Sequence, residues 1–252
     1  MDGEMDRPGT APLLPPLPGT ARSLADQVAT SVRDGVRTGA LVPGRLYSAY
    51  QLADELGVSR SPVREALLRL AETGMVVLER NRGFRVHRPA PREIAEIFEL
   101  RLLLEVPVAV RVAGAPPPGL AAALHHELRA MRTAATDDEE ATFMTHDRRL
   151  HDLVLTAGGN HRLVATVGHL REVTRLLGAS TVGRSRDLGA IAEEHLPLVR
   201  AIETHDPGAA GDAMREHLEH TGRLLLAQEV AASPGEPLDA DGLWAEVVGG
   251  SA

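Results

Sequence analysis

A chain of 252 residues has room for two modest domains. It contains no cysteine and only six aromatic residues (Trp 1, Tyr 2, Phe 3), which excludes disulfides and thiolate metal sites, and its abundance of Ala and Leu points to a helical core. The formal net charge of −8 is uneven: residues 1–19 carry −2, residues 20–90 carry +4 (11 Arg, 7 acids) and residues 91–252 carry −10 (15 Arg, 25 acids), so a polyanion is expected at the middle segment alone.

The first residues, MDGEMDRPGT, hold no apolar run of signal length, and nowhere do 18 apolar residues run together; a cytoplasmic protein with no membrane span is expected. Residues 1–19 include five prolines and read as a disordered arm. From Ser23 the pattern changes. Leu24, Val28, Val32 and Val36 recur every four residues, with Ser23 as cap and Gly39 as stop, which predicts a helix over 23–38. After a turn at 41–44, Ser48 and Gln51 fit a capping box, opening a helix over 49–56 with Leu52, Ala53 and Leu56 inward and Gly57 as its end.

The next stretch, GVSRSPVREALLRL at 57–70, predicts a helix with Ser61 as cap and Pro62 in the first helical position, where its missing N–H costs nothing. Val63, Leu67 and Leu70 form its apolar stripe, Arg64 falls off that stripe, and Gly74 closes it. MVVLE at 75–79 and FRVHR at 84–88 read as strands joined by a cationic turn, Arg80–Gly83. Helix, helix–turn–helix and hairpin together make a winged helix–turn–helix over 20–90. A helix entering the major groove needs a small or polar tip and arginines able to fork onto guanine, which Arg60, Ser61 and Arg64 supply. Arg80 and Arg82, beside Gly83, suit the neighbouring minor groove or its phosphates. One such arginine would be ordinary surface; four on two tips of one basic domain point to double-stranded DNA.

Pro89 and Pro91 mark a hinge, and an all-α domain is expected over 91–230. Its helices fall at about 92–113, 117–135, 140–157, 161–178, 187–204 and 207–230, with Pro107 kinking or splitting the first. Residues 231–252 read as a flexible tail containing Trp244.

Ten of the eleven histidines lie in this acidic half, which raises the question of a metal. Asp147 and His151, four apart on one helix, share a face. His195 and His217 lie on consecutive helices, each about nine residues, or about 13 Å, from the turn at 205–208, so an antiparallel pairing sets them side by side. His220 satisfies the same register, and spacing does not choose between 217 and 220. One carboxylate and three imidazoles from three helices would suit Zn, Ni or Mn. Such a site attracts an anion. Arg101 is either its bidentate partner or an internal ion pair with Glu99 or Glu105, and Asn160 is placed to cap the helix that follows.

Two resemblances sharpen these expectations. LADELGVSRSPVREALLRLAETGMV with RNRGFRVHR, and the upstream GALVPGRLYSAYQLA, resemble the N-terminal domain of the GntR family of bacterial transcription regulators over about residues 22–90. That implies operator contacts from Arg60, Ser61 and Arg64, with Gly83 and its neighbours at the minor groove; Tyr50 stands where some relatives carry another operator-contacting arginine. FELRLLLE at 98–105, DRRLHDLVLTAGGN at 147–160, EEHLPLVRAI at 193–202 and AMREHL at 213–218 resemble the FCD effector domain of the FadR subfamily, in its shorter VanR-like form. That implies a metal set of Asp147, His151, His195 and His217, with Asn160 reaching the pocket as the alternative to capping. The function so implied is that of a homodimeric repressor on a palindromic operator, whose affinity a small organic acid changes at the metal-containing pocket. A metal-dependent enzyme acting on a small carboxylate, and a constitutive DNA-binding protein without metal, are the alternatives.

Overall fold

A computed structural model describes residues 23–37, 39–80, 82–176, 187–232 and 238–249. The arm expected at 1–19 and the wing residue Asn81 lie outside them. The described residues form two apolar cores, one from Ala25 to Val86 and one from Ile94 to Trp244.

The first core is built by α1 (Leu24–Arg37), α2 (Ala49–Leu56), α3 (Arg60–Glu72) and a small antiparallel sheet. Ser23 and Asp26 cap α1 reciprocally: Asp26 N–H donates to Ser23 Oγ at 3.0 Å and Ser23 N–H to Asp26 Oδ2 at 3.2 Å. Ser48 Oγ accepts from Tyr50 N–H and Gln51 N–H at the start of α2. Gly57 ends it at φ 63°, so the chain reverses into α3 without a Cβ in the left-handed region. The helix α3 starts earlier than the sequence suggests, with Ser59 as cap and Pro62 three residues in. Proline is tolerated there because the N–H groups of a first turn have no intrahelical partner. Val63, Leu67 and Leu70 are buried as the stripe predicts.

The sheet has three strands in the order β1–β3–β2: β1 (Leu46–Tyr47), β2 (Val76–Glu79) and β3 (Gly83–Val86). The two-residue β1 carries no alternation long enough to be read from sequence. It explains Gly83: a Cβ there, at φ 125°, would fall 2.0 Å from the Tyr47 carbonyl oxygen.

Beyond the hinge, α4 (Pro91–Gly114) runs as one helix through Pro107, and is not split. The carbonyl that Pro107 leaves unpaired is that of Leu103, whose side chain is 53% exposed, so the lost bond lies on the solvent side. Then come α5 (Leu120–Thr136), α6 (Glu140–Ala157) and α7 (His161–Leu176). The helix expected over 187–204 is two, α8 (Leu188–Glu194) and α9 (Leu196–Glu203), because Pro197 has no N–H to continue the ladder. They are followed by α10 (Pro207–Ala232), which packs along α4.

The tail is not loose throughout. A last helix, α11 (Ala240–Val247), sets Trp244 (2% exposed) against Phe98, ring centroids 6.2 Å apart. Gly222 of α10 is the notch that admits it: a Cβ there would fall 2.4 Å from the indole. No helix among the described residues is long and apolar enough to cross a membrane.

Candidate DNA face and metal centre

The first turn of α3 presents Arg60, Ser61 and Arg64 to solvent. Among the described residues neither arginine makes an ion pair. Farther along the same helix, Arg69 is held by Asp26 at 2.7 Å and by Glu65. The Arg60 guanidinium lies 4.1 Å from the centroid of the Tyr50 ring. In the wing, Arg80 is exposed and unpaired among the described residues, whereas Arg82 lies 3.3 Å from Glu79. Glu79 also takes Arg85 through Nε at 2.9 Å and Nη2 at 2.7 Å. Gly83 is the residue that lets β3 pass the Tyr47 carbonyl, and so sets the wing's angle.

The second cluster begins with the break between α8 and α9. There His195 N–H bonds to Ala192 O, one residue short of the α-helical partner, leaving Ile191 O without its backbone donor. The His195 ring supplies one, Nδ1 lying 2.8 Å from Ile191 O. A proton on Nδ1 leaves Nε2 with a bare lone pair facing inward. The other two imidazoles are set the same way. His151 Nδ1 lies 3.3 Å from Glu105 Oε2 and His217 Nδ1 lies 3.2 Å from Glu194 Oε2, so both carboxylates draw the ring proton to Nδ1.

His151 and His195 face each other through Nε2, and the His217 ring joins them. His151, His195 and His217 offer ligand atoms within 4.8 Å of one another, and His195 and His217 have centroids 4.4 Å apart. His151 Nε2 and His195 Nε2 are 3.2 Å apart. Nitrogens about 2.1 Å from one ion lie about 3.0–3.4 Å apart at octahedral or tetrahedral angles, so the His151–His195 spacing of 3.2 Å fits a shared divalent cation, while the triad as a whole, spread over 4.8 Å, must draw in slightly to close on one ion. Asp147 borders the triad, its Oδ1 3.2 Å from His195 Nε2. His220, which spacing alone could not reject, stays half exposed and 3.6 Å from Glu194.

Burial favours the neutral form of His151 and His217 against the pull of the neighbouring carboxylates. Burial pushes His151 down to about 3, helped by the Arg171 charge, and burial with the His195 ring pushes His217 down to about 4. Burial works to raise both carboxyls. At Glu105 the Arg101 charge and the His151 hydrogen bond outweigh it, and at Asp147 the adjoining His195 ring and the Arg171 charge do so, leaving each below its ordinary range. His151 and His217 are thus ready to ligate at neutral pH without first losing protons.

Arg101 is buried and donates through Nε to Glu105 Oε1 at 2.7 Å, the ion-pair alternative that the sequence left open. Asn160 caps α7, its Oδ1 accepting from Arg162 and Leu163 N–H at 3.1 and 3.2 Å. The sequence reading passed over Arg171. Its Nη2 donates to Asp147 Oδ2 at 2.8 Å, and its Nη1 is buried with no hydrogen-bond partner among the described residues. Only its spacing three turns into α7 could have marked it, and a lone helical arginine carries no signal of its own.

Comparison with known proteins matches both domains. The profile of the bacterial regulatory proteins of the gntR family matches residues 24–86, and that of the FCD domain residues 96–220. An HTH-type transcriptional regulator from the TAR-I ttuE–ttuC′ intergenic region of Agrobacterium vitis is 32% identical over 152 residues, 58% of this chain and 89% of its own length. A probable D-xylose utilization operon repressor of Paenarthrobacter nicotinovorans is 28% identical over 79% of this chain and 87% of its own. The gluconate operon repressor of Bacillus licheniformis is 28% identical over 83% and 90%. Among solved structures, Escherichia coli McbR/YncC superposes with a TM-score of 0.69 at 23% identity, over 82% of this chain and 99% of that one, a likeness of fold.

Proposed function

The chain belongs to the GntR family of bacterial transcription regulators, with an FCD domain following its DNA-binding domain, and from that premise we propose that it is a repressor released from its operator by a small organic acid bound at the Asp147–His151–His195–His217 cluster. Its relatives are transcription regulators and not enzymes, which removes the metal-dependent enzyme as a reading.

The observation that carries the proposal is the matched setting of three imidazoles, each with Nδ1 held by an acceptor and the three rings gathered at one point. Asp147, His151, His195 and His217 would hold a divalent ion, Zn, Ni or Mn, which supplies positive charge and open coordination to a carboxylate. In the protein around it, Arg101 and Arg171 offset Glu105 and Asp147 and Glu194 adds one negative charge, so a divalent cation still leaves the pocket net positive. Arg171, with a donor to spare, is the arginine placed to meet an acid; Arg101 holds Glu105, which aims His151.

On the DNA side, Arg60, Ser61 and Arg64 would read the major groove, and Arg80, Arg82 and the backbone at Gly83 would meet the adjoining phosphates or minor groove. Leu100, Leu103 and Val110, 46%, 53% and 37% exposed, lie with Pro107 in a stripe along α4, which suits a second copy and hence a palindromic operator. The two halves meet through α7: Glu172, next to Arg171, lies 3.9 Å from Arg33 of α1. An acid that moves α7 thus has a contact through which to bias the DNA-binding domain, provided it binds the two arrangements unequally.

Two relatives are named for gluconate and D-xylose operons, so sugar acids are the first to try. Purified protein is expected to carry about one metal ion per chain, and Asp147→Ala much less. Gluconate and other small carboxylic acids are then added to a complex with a duplex selected from a randomised library. Release of the duplex that disappears after chelation supports the reading. Metal absent from the wild type, or release unaffected by chelation, overturns it.

A further inference from the structure

The sequence departs from its family's motif at Tyr50, and the structure gives that residue a contact. Its ring is 59% exposed, yet the Arg60 guanidinium lies over it at 4.1 Å from the centroid. We propose that Tyr50 is a positioning residue for DNA recognition, holding the Arg60 guanidinium face-on so that its N–H edge points to the base it reads. This rests on the reading of α3 as the groove helix.

Both residues are placed by the backbone. Tyr50 is in the first turn of α2, where its N–H donates to the Ser48 hydroxyl at 3.2 Å. Arg60 opens α3, and the turn between the helices is fixed by Gly57 in the left-handed region and by Val58 N–H donating to Ala53 O at 3.1 Å. The two first turns are thus brought together by a short, well-bonded connection.

The chemistry explains why a ring serves there. An arginine side chain has many rotamers, and ordering it on a base costs entropy each time the protein binds. A carboxylate would order it too, as Asp26 and Glu65 order Arg69, but would occupy its donors. Stacking on an aromatic face restrains the plane of the guanidinium and leaves all five N–H groups in that plane available. Among the described residues Arg60 has no ion pair, so the ring restrains it without spending its fork. An arginine at position 50 would repel Arg60 and take a contact of its own; tyrosine exchanges that contact for a better-ordered neighbour.

The test is selection by the full-length protein from a library of randomised duplexes, comparing wild type, Arg60→Ala, Tyr50→Ala and Tyr50→Phe. Arg60→Ala identifies the base-pair position that Arg60 reads, as the one whose preference is lost. At that position Tyr50→Ala is expected to lower discrimination about two- to five-fold, with preferences elsewhere kept, and Tyr50→Phe to preserve it. Because Tyr50 is exposed, thermal melts of both Tyr50 variants should match the wild type. If Tyr50→Ala keeps full discrimination at that position, or if Tyr50→Phe loses as much as Tyr50→Ala, the platform is wrong while the groove reading stands. If Arg60→Ala loses preference nowhere, the groove reading falls and the platform with it.

Discussion

The two halves of the molecule use arginine in opposite ways. In the DNA-binding half, Arg60, Arg64 and Arg80 stand in solvent without an ion pair among the described residues. In the helical half, Arg101 is 5% exposed on Glu105 and Arg171 is half-buried on Asp147. The buried polar side chains (Arg101, Glu105, His151, Thr174 and His195) all belong to the helical half. An exposed guanidinium is inexpensive to leave unpaired and stays available to a phosphate or a base. A buried one must be matched, and its match then holds a neighbouring imidazole. The same residue type thus reads out as binding in one half and as folding and ligation in the other.

The sharpest way to break that contrast is to unpair one arginine in each half. Glu105→Ala leaves the Arg101 charge buried and alone, and is expected to cost about 3–5 kcal/mol. Glu65→Ala removes one partner of the exposed Arg69 and is expected to cost less than about 0.5 kcal/mol. Chemical denaturation followed by circular dichroism measures both. Similar costs for the two would mean that burial does not separate the halves.

The parts of this picture that were legible in the sequence are those written in local pattern. Val63, Leu67 and Leu70 repeat at helical spacing, and Asp147 and His151 stand four apart, so helix and shared face could be read from neighbours alone. The hairpin count placed His195 beside His217 but could not exclude His220, because both satisfy the same register; packing turned one inward and left the other half exposed. What stayed hidden depends on residues far apart in the chain. Gly222 makes room for Trp244 across a gap that no short pattern spans, so α11 looked like a loose tail. Glu105 aims His151 and Arg171 grips Asp147 from other helices, and only the fold brings them together. Pro197 was visible, but its effect on helix continuity was missed, and that break frees the carbonyl that orients His195.

Acid should separate the halves next. His151 and His217 have folded-state values of about 3 and 4, below the ordinary 6.5, so from about pH 6.5 downward the unfolded chain binds more protons than the folded one. Their contribution to stability is complete above pH 6.5 and is lost as pH falls toward 4 and then 3. The depressed carboxyls of Glu105 and Asp147 act with the same sign at the low end, since their contribution is present above the ordinary carboxylate range and lost below it. The single tryptophan, Trp244, is buried in the helical half and reports on that half alone. In metal-stripped protein its unfolding midpoint in urea should fall steadily between pH 6.5 and 4. Replacing His151 by Phe should flatten the dependence, and a midpoint independent of pH in both proteins would contradict the buried neutral imidazoles.

The smallest effect tests the contrast inside the DNA-binding half itself. Arg80 and Arg82 sit at the same wing, but Arg82 lies 3.3 Å from Glu79 and is partly neutralised before DNA arrives. An unpaired arginine that meets a phosphate releases about one condensed counterion, so Arg80→Ala should reduce the slope of log affinity against log salt by about one. Arg82→Ala should reduce it by less, because the carboxylate has already taken part of that charge and must be displaced for a phosphate to replace it. Neither change should alter base preference, since phosphate contacts position the protein without reading sequence. Titrating a selected duplex at several salt concentrations measures both slopes. Equal reductions would show that Glu79 does not hold Arg82 in solution; a larger one for Arg82→Ala would move the phosphate contact to Arg82 and leave Arg80 as ordinary surface.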